Sequence, residues 1–145
     1  MASPVDDFEM LANRILVFAK QAIIEDGFLI PISAVVSPAG EVVPIRRIQP
    51  PDEKDTASSL VDELLGILRS LARDRQARAV AWCIDMRVVP PGTTEKTDAL
   101  VLFRESSNGE ASVLLTPYYG APGPATVFAE TYTQPNQPQI FLPSK

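Results

Sequence analysis

Residues 78–105 read RAVAWCIDMRVVPPGTTEKTDALVLFRE, and the fold turns on this stretch. Its first half alternates. Val80, Trp82, Ile84, Met86 and Val88 form an apolar face of period two, while Ala79, Ala81, Cys83, Asp85, Arg87 and Val89 are smaller and more polar. Pro90-Pro91-Gly92 interrupts the run, and a second strand is expected from Thr97 to Glu105. Folding the two into a hairpin about the Pro90–Lys96 loop sets Arg87 opposite Asp98 and Asp85 opposite Leu100. Trp82, Ile84 and Met86 then share a face with Phe103, Val101 and Ala99. A slip of one residue would turn every apolar side chain to the wrong face, so agreement of the faces selects this register.

Outward from this hairpin, Ser107-Asn108-Gly109 is a turn signal, and Ala111 to Tyr119 reads as the next strand. Its Val113-Leu114-Leu115 run suggests burial on both faces. A final strand is expected near Thr126 to Thr133. Upstream, Phe8, Leu11, Ile15, Phe18, Ala22 and Ile23 recur at helical spacing, giving a helix over Asp6–Glu25 with Asp6 or Asp7 as cap and Gly27 as its left-handed stop. A hairpin follows, Phe28–Val36 and Glu41–Ile48, turning at Pro38-Ala39-Gly40, with Pro31 and Pro44 suited to an edge strand. A second helix spans about Asp55–Gln76, with Leu60, Leu64, Ile67 or Leu68, and Leu71 as its buried stripe. Asp52, Glu53 and Asp55 near its start, with Arg69, Arg73 and Arg75 near its end, match the macrodipole.

The fold class that results is α+β. A mostly antiparallel sheet of five or six strands carries two amphipathic helices, in the order α-β-β-α-β-β-β with one more strand optional. Residues 1–145 fit one domain. Proline is about twice as frequent as the ordinary ~5%. Six of the 14 fall from Pro117 onward, so residues from about 120 to 145 should form an extended, irregular arm. Tyr118, Tyr119, Phe128, Tyr132 and Phe141 are the side chains to pin that arm to the domain.

Composition removes several chemistries. The chain has no histidine and a single cysteine, Cys83, so the commonest general base and the usual zinc and iron–sulfur ligand sets are missing. No cofactor and no transition metal are expected. Cys83 lies mid-strand and reads as a small buried residue. No phosphate-binding glycine loop occurs. A net charge of −5 disfavours nucleic acid. Arg46, Arg47, Arg69, Arg73, Arg75 and Arg78 could form a basic patch, but a solvated helix end is the simpler reading. The start lacks the pattern of a secretory signal, no apolar run is long enough for a bilayer, and the lone cysteine fits a reducing cytoplasm.

One polar group stands out, Asp85, Arg87, Lys96 and Asp98. As a site, Arg87 and Lys96 would bind an anion or carboxylate while the aspartates orient them. As scaffold, the same residues form a cross-strand ion network fixing the hairpin register. Flanking an arginine, both aspartates would be held ionised, which is wrong for proton transfer near neutrality.

Ile84-Asp85-Met86-Arg87, Pro91-Gly92, Lys96-Thr97-Asp98-Ala99 and Pro117-Tyr118 resemble the D-x-R…K-T-D-A and P-Y pattern of a group of small uncharacterised bacterial proteins. Glu25 to Val43 is similar to the first hairpin of that group. The resemblance covers most of the chain and implies no particular activity. The element order is also similar to roadblock and profilin-like domains, antiparallel sheets used as dimerising adaptors, although order alone does not give function.

The favoured expectation is a non-catalytic protein-binding or self-associating module, forming a homodimer. Leu100, Leu102, Val113 or Leu115 would need a second surface, since only two helices are available to cover the sheet. The alternatives are an immunity-type or inhibitor protein masking a toxin or enzyme, and a small anion-binding or metal-independent enzymatic domain centred on Arg87 and Lys96.

Overall fold

A computed structural model describes residues 4–45 and 52–141. Two helices and seven strands follow in the order α1 (Pro4–Asp26), β1 (Ile32–Val36), β2 (Val42–Ile45), α2 (Ala57–Arg73), β3 (Ala79–Val88), β4 (Thr97–Ser106), β5 (Ala111–Tyr119), β6 (Val127–Phe128) and β7 (Tyr132–Pro135). The strands lie in the order β2-β1-β3-β4-β5-β6, with β7 also pairing β5, and every pairing is antiparallel. This is the expected α+β architecture. The single terminal strand anticipated near Thr126–Thr133 is two short ones.

The β3–β4 register is the one set by the alternation. Arg87 faces Asp98, Asp85 faces Leu100, and Trp82 faces Phe103. The Trp82 and Phe103 rings stack at 4.9 Å, nearly parallel, a cross-strand pair that adds to the burial of both.

The two helices cover opposite faces. α1 packs on the odd-numbered side of β3, where Leu11, Ile15, Ala19 and Ile23 meet Ala34, Val36, Ala79, Ala81, Cys83, Leu100 and Leu102. The small side chains of β3 let the helix sit close to the sheet. α2 packs on the even-numbered side, where Leu64, Leu65 and Leu68 meet Val35, Val80, Trp82 and Ile140.

Two expectations about burial change. Phe18 is half exposed, and Ala19 takes the sheet-facing place. Phe8, Leu11, Ala12, Ile15, Ala19 and Ile23 define the buried stripe, and position 18 lies about a quarter-turn from its centre. Leu100, Leu102, Val113 and Leu115 are all buried and need no outside surface. α1 covers the first two. The other two cluster with Ala99, Val101, Phe103 and Tyr132, because β7 returns Tyr132 over them.

Boundaries follow local chemistry. Gly27 ends α1 with φ +80° and its N–H on the Ile23 carbonyl, a conformation costly for a residue with a Cβ. Asp7 is not a cap. It lies inside α1 and holds Arg78 with two hydrogen bonds of 2.9 and 3.0 Å, tying the helix to the start of β3. α2 starts later than expected, at a Thr56–Ser59 capping box. Asp52 and Asp55 form a turn ahead of it and place no acid in its first turn. Only Ile32–Val36 and Val42–Ile45 of the first hairpin pair, and Pro44 lies on the edge strand. The expected continuation to Ile48, Arg46 and Arg47 included, lies outside the described residues.

The C-terminal segment is anchored by a residue the sequence reading passed over. Glu105 is fully buried. Its carboxylate accepts hydrogen bonds from the backbone N–H groups of Gln139, Ile140 and Phe141 at 2.7, 2.8 and 3.1 Å. Arg69 Nε donates to the Gln139 carbonyl at 3.1 Å. The arm is therefore extended, as its prolines require, yet closely held. Tyr118 and Phe128 also contact across the β5–β6 ladder, their ring centroids 5.9 Å apart.

Candidate functional site

Asp85, Arg87 and Asp98 sit at the loop end of the β3–β4 hairpin, on the α1 side of the sheet. Their chemistry differs from that of a shared network. Arg87 Nε lies 3.8 Å from Asp98 Oδ1, and the side chains are 68% and 46% exposed. Such a pair contributes less than about 1 kcal/mol. Lys96 is exposed in the loop. Asp85 turns away from Arg87 and accepts the Tyr118 hydroxyl with both oxygens, at 2.8 and 2.9 Å.

Burial sets the proton affinities here. It raises the Asp85 carboxyl above its ordinary range. The Tyr118 hydrogen bond pulls the other way, and the charge of Asp98 adds to the rise. Asp85 is thus shifted opposite to the expectation of an arginine-held carboxylate, because its neighbour is a phenol and its surroundings are half-buried. Tyr118 is buried, and burial first, then its bond to Asp85, pushes its hydroxyl upward. Cys83, two residues along β3, is fully buried and pushed up to about 12 by burial and by the Asp85 charge. It is a packing residue, as expected, and holds no thiolate near neutrality.

Tyr118 is the member of this group that sequence reasoning missed. The available signal was parity on β5. Ala99 pairs Pro117, so the next residue lies beside Asp98. Three arginines of the possible basic patch are engaged separately. Arg69 donates to Gln139, Arg73 to Ser70 at 3.0 Å, and Arg78 to Asp7. Among the described residues no three His, Cys, Asp or Glu side chains converge, and no helix is long and apolar enough to cross a membrane.

A separate concavity lies at the other side of the fold's first helix. A groove of ≈ 1190 Å³ runs from the outer flank of α1, past Phe28–Ile32 and the β1–β2 edge, to α2. Val17, Phe18, Phe28, Ile30 and Ile67 line it, with exposures of 72, 50, 57, 39 and 41%. Ser33 also lines it. This side chain is buried, and its hydroxyl has no hydrogen-bond partner among the described residues. Arg14, Gln21, Asp26 and Glu63 supply the polar part of the lining. A second hollow, between Met10, Asn13, Arg14, Val17 and Val42, adjoins it toward the start of α1 and shares Arg14, Val17 and Val42 with it. Exposed apolar side chains gathered on one concave surface are the usual mark of a binding face.

No family model, no curated protein and no solved structure matches this chain.

Proposed function

We propose that this chain is a non-catalytic protein-binding module whose docking face is the groove between α1, the β1–β2 edge and α2. The observation that carries the reading is the run of exposed Val17, Phe18, Phe28, Ile30 and Ile67 along one concavity. Burying such surface yields roughly 25 cal/mol per Å², so two or three of these side chains supply useful affinity once covered. The polar group at the far end of the β3–β4 hairpin supports the same reading from the opposite direction. Asp85 and the buried Tyr118 satisfy one another, and one of the group's two exposed cations, Arg87, already faces a carboxylate.

The test is a photo-crosslinking amino acid at position 17, compared with the same probe at Thr94 in the exposed β3–β4 loop. Irradiation in cells expressing the chain should give protein adducts, of the chain itself or of another protein, in excess at position 17. Equal labelling at the two positions would refute the reading.

A further inference from the structure

The outer face of α1 has an internal order. Met10, Arg14, Val17, Phe18, Gln21 and Glu25 follow one another at three- and four-residue steps and fall on one side of the helix. All but Met10 are exposed, and Met10 is partly so. The run spans 16 residues, about 24 Å of helix. Its centre is apolar. Its N-terminal half carries Arg14, which makes no ion pair among the described residues. Its C-terminal half carries Glu25, oriented by a 2.7 Å hydrogen bond from Gln21 Nε2. A stripe positive at one end and negative at the other complements itself when reversed.

We propose that the occupant of this face is a second copy of the chain, with α1 pairing antiparallel to its twin about a two-fold axis near Val17 and Phe18. The proposal rests on the docking reading above and names the partner. The two-fold places Arg14 of each copy beside the Gln21–Glu25 pair of the other, so both ends are paired at once, as an isologous interface requires. It opposes the two helix dipoles, which is favourable. It also sets Val17 and Phe18 of each copy against the adjoining hollows beside α1 of the other. Strand-to-strand association is the poorer route, since β2 is four residues long and contains Pro44.

The experiment is sedimentation equilibrium on the full chain over a wide concentration range, with variants whose helix content is checked by circular dichroism. The wild type should show twice its 15.8 kDa mass. Val17→Asp should be monomeric. Arg14→Glu and Glu25→Arg should each weaken association, roughly tenfold. An equimolar mixture of those two variants should recover the loss, because every cross-contact in the mixed dimer again joins opposite charges. A wild type that stays at monomer mass overturns the second-copy proposal, as does a mixture no tighter than either variant alone. Adducts to a different protein at position 17 would then leave the docking reading standing, whereas equal labelling at positions 17 and 94 removes both.

Discussion

Glu105 offers the sharpest quantitative test of how this fold is held. Its carboxylate is fully buried and receives three backbone N–H groups, Ile140 and Phe141 on Oε1 and Gln139 on Oε2. Glu105→Gln keeps the shape and one acceptor oxygen. Set at the Oε1 position, that oxygen retains two bonds without their charge assistance, and the new amide group meets the Gln139 N–H donor to donor. Hydrogen bonds to a charged group are worth about 1.5–3 kcal/mol and neutral ones about 1. The expected loss is about 2–3 kcal/mol, a fall in Tm of roughly 5–10 °C for a chain of this size. A ceiling applies. The segment can leave the sheet instead of tolerating the mismatch, and the cost cannot exceed its docking energy, which is these bonds plus burial of Ile140, about 1.5–3 kcal/mol for the side chain. Glu105→Ala should therefore cost little more than Glu105→Gln. Thermal unfolding gives the magnitude, and amide hydrogen exchange gives the place. Protection should vanish at Gln139, Ile140 and Phe141 while β3 and β4 stay protected. Unchanged Tm together with unchanged exchange at those three amides would refute the reasoning.

Asp85→Asn tests the part-buried phenol–carboxylate pair. The folded Asp85 pKa lies above its unfolded value, so the native state binds its proton more tightly, and the wild type loses stability relative to the variant as pH rises through the carboxylate range. The Tm difference, variant minus wild type, should grow between about pH 3 and about pH 7; a flat or falling difference contradicts the shift. Cys83, pushed up to about 12 and fully buried, should react with a disulfide reagent only at the rate of unfolding, and rapid labelling of the native chain would count against that burial. Arg87→Ala and Lys96→Ala should each change stability by less than about 1 kcal/mol in denaturant titration, and a loss above about 2 kcal/mol for Arg87 would show a coupled network instead.

The central hairpin was legible because period-two alternation leaves one register in which both strands bury their apolar faces. Arg87 against Asp98 and Trp82 against Phe103 follow from that alone. The polar group was legible only by halves. Strand parity places Asp85 and Arg87 on the same face, but cannot tell whether Asp85 turns toward Arg87 or toward Tyr118 on a strand two places away. Glu105 was hidden for a related reason. A glutamate at a strand end normally marks solvent, and only the return of residues 139–141 makes it an anchor. The start of α2 was misplaced because the acids at 52–55 imitate a first turn, while the actual box, Thr56 and Ser59, uses serine where glutamate or glutamine is the familiar partner.

The groove was illegible because it arises from where the covering elements stop. Two helices must shield two faces of a broad sheet. α1 reaches across β1, β3 and β4, and the far half of the other face is closed by the Trp82–Phe103 stack, Tyr132 and the Glu105-held segment. The C-terminal arm thus does on one face what a third helix would do, and it does so toward β4 and β5. The β1–β2 side receives no equivalent cover among the described residues. Its apolar side chains, on α1 at Val17, on the approach to β1 at Phe28 and Ile30, and on α2 at Ile67, stay exposed. Pro44 removes a backbone donor from the edge strand beside them. An edge that is apolar in its side chains and poor in its backbone favours recognition by packing over strand addition, so the outward stripe of α1, with its opposite charges at either end, is the element on which association should turn.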